Sequence, residues 1–507
     1  MKSYHLTSLL TLATLWSLTA CAVGPNFHSP TAPQGAGFTP EAPVNPVSTA
    51  STIAGSPQHF DAGRDLPGEW WTLFRSPALD GLIKRALVAN PDLDAAQAAL
   101  RQARENFYAG QGALFPTASA QFEPSRQKIS GASFGVPSQS PTLSLVTAQL
   151  NISYAPDVWG GTRRQIESLG AQVDFQRFEL EASYLTLTSN IVVAAINEAS
   201  LRAQIATTQD IIKADLDQLD VVRQQFNIGG ASRADVLQQE ATLAQSRATL
   251  PPLQKQLAQQ RDQLVALLGG FPNESLAARF DLKDLHLPEQ LPVSLPSQLV
   301  GQRPDIRASE AQFHAASANL GVAIANQLPQ FTITGALGSE SLGFANLFSA
   351  GTGIWTIAGS VTQTLFDAGT LQHKKRAAAA GLEQAAAQYR STVIRAFQNV
   401  ADALRALQSD ADLVHEQAAA VRSASDSYAL ARTQFRNGAI SYLTLLNADR
   451  TWQQTRLNLV QAQALRFSDT AALFQALGGG WWHRNDVAPA THGSDRLVVP
   501  VLAAFQP

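Results

Sequence analysis

The stretch "VTAQLNISY" (Val146–Tyr154) alternates strictly between apolar and polar residues. Val146, Ala148, Leu150, Ile152 and Tyr154 fall on one side of an extended chain, and Thr147, Gln149, Asn151 and Ser153 on the other. Period-2 alternation predicts a strand with one apolar face and one wetted face. Three further stretches share the pattern: Ala118, Ala120 and Phe122; Phe331, Ile333 and Leu337; and Trp355, Ile357, Val361 and Leu365. Loops rich in Gly, Ser and Phe join them in pairs, which predicts β-hairpins at about 117–156 and 330–367. Apolar-out, polar-in alternation over about ten residues is the pattern of a membrane β-barrel strand around an aqueous lumen. A soluble hairpin packed on helices is the alternative, and it leaves four such strands in a helical chain unexplained.

The hairpins belong to a repeat. "NPDLDAAQAALRQARENFYAGQGALFP" from Asn90 matches "RPDIRASEAQFHAASANLGVAIANQLP" from Arg303 at an offset of 213 residues. "QFNIGGASRADVLQQE" from Gln225 matches "QFRNGAISYLTLLNAD" from Gln434 at 209, as Leu268-Gly269-Gly270 matches Leu477-Gly478-Gly479. The four-residue slip falls between Pro116 and Gly160, so one hairpin loop is expected to be longer than its counterpart. Two copies of one structural unit follow.

Between hairpin and turn, residues 162–228 and 370–437 contain no proline and one glycine each, Gly170 and Gly381. Apolar residues recur there by threes and fours, as in Ile166, Leu169 and Val173, which predicts long helices with coiled-coil character. At about 1.5 Å per residue each reaches about 100 Å, far beyond a bilayer core of about 30 Å. They must project into a water-filled space. Helices return from Ser232 to Leu268 and from Ser441 to Leu477, the first with a kink or break expected at Pro251-Pro252.

The N-terminus has the layout of a secretory signal, with Lys2 ahead of the apolar run Leu6–Ala20. Leu18-Thr19-Ala20-Cys21 then has the form of a bacterial lipobox, so Cys21, the only cysteine, is expected to be lipidated and to become the mature N-terminus. Ala22 in place of an acidic residue favours sorting to the outer membrane. From Pro25 to about Gly68 prolines recur among Ala, Ser, Thr and Gly, as in an extended tether. The expected organisation is therefore a signal peptide (1–20), a lipidated Pro-rich tether (21–69), a first repeat (70–270, long helices about 162–268), an inter-repeat segment (271–300), a second repeat (301–480, long helices about 370–477) and a tail (481–507).

Charged residues make up 15% of the chain and the net charge is −3, so no nucleic-acid partner is expected. After the signal no apolar run reaches about 18 residues, so any crossing of a membrane must be made by strands. Four strands are too few to enclose a lumen, since the smallest membrane barrels use about eight. Open edges in lipid leave backbone groups unpaired, so several chains must pool their strands. Two copies would supply eight and three would supply twelve; spacing alone leaves both open.

With the lipobox, X-Pro-Asp helices, paired hairpins and Phe-x-x-Gly turns in place, the chain resembles the TolC-like outer-membrane efflux proteins. "APDVWGGTRRQ" (Ala155–Gln165) and "TLFDAGTLQHKKR" (Thr364–Arg376) are similar to that family's strand-to-helix junctions. "LPPLQKQLAQQRDQLVALLGGFPNE" (Leu250–Glu274) resembles its lipoprotein branch, the NodT/OprM type. The resemblance covers about Trp70–Gly480. It implies a mixed α and β membrane protein: a homotrimer with one twelve-stranded β-barrel, four strands per chain, continued by a long periplasmic α-helical barrel. The implied partners are outer-membrane lipid, a periplasmic adaptor protein and an inner-membrane transporter, with small molecules expelled through the duct. The same fold could serve as an exit duct for polypeptides in type I secretion. A lipid-anchored helical binding or adhesion protein without a pore is a third reading, and it predicts no conductance.

The resemblance further implies that the turns Phe226-Asn227-Ile228-Gly229 and Phe435-Arg436-Asn437-Gly438 face the adaptor. A helix-to-helix turn wants glycine for its left-handed position in any case, which accounts for Gly229 and Gly438 without a partner. Relatives ring a closed periplasmic aperture with carboxylates just after these turns. Asp235 fits that pattern, whereas Thr444 and Asn447 stand where aspartates would align. Neutral side chains lack the field of a carboxylate ring, leaving Asp449 and Asp235 to compensate. Asp235 can equally satisfy the start of its own helix.

No cofactor or catalytic role is expected. Gly131-Ala132-Ser133-Phe134-Gly135 matches a nucleophile elbow, but it lies between two strands and runs into Val136-Pro137, so a loop is expected. The nine histidines are scattered without metal-ligand spacing. The pattern is that of a conduit.

Overall fold

The computed structural model describes residues 22–33, 37–41, 43–48, 50–130, 132 and 142–487. Cys21 and the signal lie outside the described residues, as do the nucleophile-elbow match apart from Ala132 and the tail beyond residue 487.

Each half of the chain runs helix, hairpin, long helix, return helix. In the first half these are α2 (Pro91–Gly112), β2 (Thr117–Lys128), β3 (Thr142–Tyr154), α3 (Gly161–Asn227) and α4 (Arg233–Leu267). The second half repeats them as α6 (Pro304–Ala325), β5 (Gln330–Ser341), β6 (Gly353–Thr362), α7 (Thr370–Arg436) and α8 (Tyr442–Ala476). Short elements pack beside them: β1 (His59–Ala62), α1 (Pro77–Ala89), β4 (Gln290–Val293) and α5 (Pro296–Gln302).

Local chemistry sets the boundaries. Pro77, Pro91, Pro296 and Pro304 each begin a helix, where a missing N–H leaves nothing unsatisfied. The long helices α3 and α7 are 67 residues each and uninterrupted. At their barrel ends Asp157 accepts from the backbone N–H groups of Thr162 and Arg163, and Asp367 from those of Gly369 and Leu371. Of the kink or break expected at Pro251 and Pro252, the break does not occur: α4 runs through both as one helix. Both prolines are exposed, so their rings lie off the packed face and the helix is held by its neighbours on α3.

The repeat also has a matching junction where each return helix meets its lead-in helix. Asn90 Nδ2 donates to the Leu267 carbonyl (2.9 Å), and at the matching place Arg303 donates to the Ala476 carbonyl (3.0 Å). Each bond satisfies a terminal carbonyl of a return helix with a side chain that starts the lead-in helix. Gly269 (φ 74°) and Gly478 (φ 94°) turn the chain there, and a Cβ would meet the carbonyl oxygens of Ala89 and Gln302 at 2.2 and 2.5 Å. Backbone sign and close approach both demand glycine.

The long helix α3 is the spine: it packs against α2, α4, α6 and α8, while α7 packs against α6 and α8. One large core surrounds its middle and includes Trp70, Phe74, Ile83, Ile191, Phe467 and Phe474. A second, smaller core sits near the helix turns. The proline-rich N-terminal segment is not a free tether. β1 pairs in parallel with β4, and the fully buried Arg466 donates to the carbonyls of Pro46, Ala54 and Ser56. Three carbonyls of this irregular segment are thus satisfied by one buried side-chain donor. The four-residue slip is likewise shared out: the β2–β3 loop (129–141) exceeds the β5–β6 loop (342–352) by two residues, and β3 is longer than β6.

Candidate functional site

The four long strands form one antiparallel sheet in the order β2-β3-β5-β6. Its register aligns the apolar positions across every strand. Ala120, Leu150, Leu337 and Trp355 stand in one row, and Ala118, Ile152, Gly335 and Ile357 in the next. Tyr154 beside Ile333, and Phe331 beside Val361, continue the same face. These side chains are left open: Trp355 and Ile357 are 74% and 73% exposed. The opposite face is polar and bonded within itself, Gln149 and Asn151 both donating to Gln121 Oε1. The strand expected to reach Leu365 ends at Thr362, and just beyond it Gln363 Nε2 donates to the carbonyls of Gln327 and Thr364.

The sheet carries only four charged residues, and its pleat separates them by sign. Glu123 and Glu340 both pair with Thr147, so they share one row of the polar face. Arg126 and Lys128 stand on the apolar side, beyond Pro124 and towards the loop end. Sequence reading of this region passed over all four, although their parity along the strands is legible once the face is known.

At the junction between sheet and helices, residues 22–29 cross the seam between α3 and α6. Val23 N donates to the Trp159 carbonyl (3.0 Å). The buried Arg164 donates to the carbonyls of Val23 and Gly24 and to Asn26 Oδ1 (3.2, 3.4 and 2.6 Å). Phe27 stacks on His314, whose Nε2 meets Glu167 at 2.9 Å. Arg164 and His314 together hold the Glu167 carboxyl below its usual range, the His314 hydrogen bond being the larger cause. No residue pattern signals this clasp, since its partners lie some 140 to 290 positions apart in the chain.

The far ends of the helices hold the other expected site. Asp235 is the reciprocal member of a capping box: its carboxylate accepts from Ser232 N (2.8 Å) and Ser232 Oγ caps Asp235 N (3.2 Å). In the second copy Ser441 Oγ accepts from Thr444 N (3.3 Å), and Thr444 and Asn447 are exposed. The two turns differ. Phe226 is partly exposed beside the exposed Ile228, whereas Phe435 is buried edge-to-face on Tyr442 at 5.8 Å. The second turn therefore presents Arg436, Asn437 and Gly438 outward and keeps its ring for the tip core. Gly229 and Gly438 adopt φ of 80° and 70°.

Asp449 does not compensate for the missing carboxylates. It is 3% exposed and lies against the fully buried Asp215 of α3, with Gln453 donating to both acids. Burial first, and the Asp215 charge second, push its carboxyl up to about 7. The pair sits where α3 of one repeat meets α8 of the other, walled by Gln239, Ser246, Tyr428 and Tyr442.

Comparison with known proteins assigns this architecture. The family described as Outer membrane efflux protein matches residues 82–270 and 295–479. The chain is 29% identical over 484 residues to the probable efflux pump outer membrane protein TtgC of Pseudomonas putida, covering 95% of this chain and 97% of the relative. It is 31% identical over 426 residues to the pyoverdine export outer membrane protein OpmQ of the same species (82% and 89% covered). To the cation efflux system protein CusC of Escherichia coli it is 27% identical over 474 residues (93% and 98%). The solved outer-membrane channel OprN superposes with a TM-score of 0.82 at 25% identity, covering 91% of this chain and all of that one. A sheet with one apolar and one polar face, carried on helices too long for any bilayer, is thus the build of an outer-membrane channel with a periplasmic extension, and the chain belongs to the outer membrane efflux protein family.

Proposed function

We propose that three copies close a twelve-stranded barrel in the outer membrane and that their helices form a periplasmic duct, through which small molecules pass passively. The observation that carries this reading is the pair of open edges. β2 and β6, 12 and 10 residues long, each leave one side unpaired in the protomer, at the flanks of a face built for lipid. Each unpaired backbone group in hydrocarbon costs several kcal/mol, so β2 of one copy must pair with β6 of the next. Two copies would give eight strands, whose interior is filled by side chains; three leave a lumen.

In this reading the polar face lines the pore, and the turns at Phe226–Gly229 and Phe435–Gly438 meet a periplasmic adaptor that joins the duct to an inner-membrane transporter. Asp235, Thr444 and Asn447 line the periplasmic aperture. Relatives named for pyoverdine and for cations match at similar identity, which favours a duct that leaves selection to the pump. Lipidation of Cys21 fits the clasp at Arg164, which fixes Ala22 against Gly160 at the periplasmic end of the lipid-facing sheet. The lipid would help seat each protomer before the barrel closes. Cys21→Ala, exported through an ordinary signal, should then assemble more slowly.

The test is the protein mass of the particle in mild detergent, by light scattering corrected for bound detergent, followed by conductance in a planar bilayer. Three chain masses and stable conductance are expected. A monomer that survives mild extraction, or a trimer that never conducts, would refute the duct.

A further inference from the structure

The outward face of the sheet changes character at a definite height. From the row of Phe331 and Val361 to the row of Pro124, Val146 and Ser341, the lipid-side positions carry no charge. Those rows are ten residues apart along β5, which at about 3.4 Å per residue and a tilt of about 40° is about 26 Å of height. A membrane barrel presents an apolar band about 25 Å tall, so the band ends at this row. Aromatic rings gather beside it: Phe344 packs on Phe122 at 6.1 Å, and Phe344 and Phe348 are exposed, as in the girdles that mark a membrane boundary.

The next two lipid-side positions of β2 are Arg126 and Lys128, about 5 and 10 Å above the band by the same geometry. Neither forms an ion pair among the described residues. None is on offer from the chain's own outer end. The loops 129–141 and 342–352 contain no charged residue, and the two acids of the sheet, Glu123 and Glu340, point to the opposite face. Closing the barrel changes what pairs with β2 but not which way its pleat points. Two cations per protomer therefore stand unneutralised at headgroup height, facing the membrane at its outer leaflet.

We infer that Arg126 and Lys128 form a docking site for the phosphate groups of an outer-leaflet glycolipid, one site per protomer. The inference rests on the barrel reading above, because it needs that face to look into lipid. Arg126 offers a planar fork suited to a phosphate, and Lys128, two positions farther on the same face, a second point charge. Inner-leaflet headgroups meet the other end of the sheet, so the occupant belongs to the outer leaflet.

The experiment is native mass spectrometry of the full-length detergent-purified particle with diphosphorylated lipid A, and with the same lipid stripped of both phosphates. At about 1 kcal/mol per cation near a charged headgroup, each lost charge weakens binding about fivefold and both about 25-fold. Arg126→Ser with Lys128→Ser should show that loss, Arg126→Lys should retain most binding, and the phosphate-free lipid should bind the parent as weakly as the double variant binds lipid A. Equal retention of lipid A by parent and double variant, or of both lipids by the parent, overturns the inference. Particle mass and conductance separate the two readings. A conducting trimer that ignores phosphate defeats only the docking site, whereas a parent that neither trimerises nor conducts defeats the barrel and the site together.

Discussion

Asp449→Asn should remove a pH dependence from the helical tip. Asp449 is buried against Asp215, and its carboxyl is raised from 3.8 to about 7. When α3 and α8 part locally, water reaches the group and its ordinary value returns. A raised value in the closed form means that closure is favoured most in acid and that this advantage is lost as pH rises through about 7. Between about pH 5 and pH 8 the closed seam should lose about 3 kcal/mol per protomer, roughly a hundredfold in the local opening constant, at about 1.4 kcal/mol per unit. The other charges near the pair do not reverse the sign. Arg450 lowers the Asp449 value, but less than burial and Asp215 raise it, and Tyr428 and Tyr442 stay neutral because both are shifted upward. Arg432, Arg436 and Asp235 act on those tyrosines. Hydrogen exchange of peptides from α3 and α8, corrected for the intrinsic pH dependence of exchange, measures the opening constant. The asparagine variant keeps the size of the protonated acid without its charge, so its opening should be flat with pH. A parent that is equally flat, or a variant with the parent's slope, would refute the reasoning.

Three further outcomes follow from the same geometry. Gly229→Val and Gly438→Val place a side chain in open space at left-handed backbone, so each should cost about 1–2 kcal/mol of strain, read as faster exchange at that turn alone. Arg164→Leu removes three of the bonds that hold residues 22–26 and should destabilise that clasp by about 3 kcal/mol, exposing the segment to protease while the particle mass stays that of the parent. Glu123→Gln with Glu340→Gln neutralises the two acids on the pore-lining face, and the zero-current potential in a salt gradient should move towards zero. An unchanged potential would place those acids away from the ion path.

The strands, the long helices and the repeat could be read from sequence because each is a local periodicity. Val146–Tyr154 alternates because one face meets lipid and the other water, and any two-residue period in the chain reports it. The 67-residue helices showed themselves by the lack of proline, and the repeat by Pro91 and Pro304 opening equivalent helices. Pro251-Pro252 does not break its helix, because continuity there is settled by packing on α3 rather than by the two missing donors. Phe435 and Asp449 turn inward in the protomer for a related reason: near the tip the same helical stretch has a core face and an open face, and single positions do not announce which they occupy. Asp449 is two residues from the exposed Asn447, a rotation of about 200° around the helix, and that rotation turns it from the open side to Asp215.

What the sequence determined by itself was therefore the set of elements and their two-faced character, through spacings of two and of three to four residues. Tertiary structure alone decided the contacts that join distant positions: the Arg164 clasp on residues 23–26, the hold of Arg466 on the N-terminal segment, and the acid pair that bridges the two repeats. Periodicity is a property of one segment in one environment. A hydrogen bond between residues 141 or 412 positions apart exists only after the helices have been laid side by side, and no local pattern carries it.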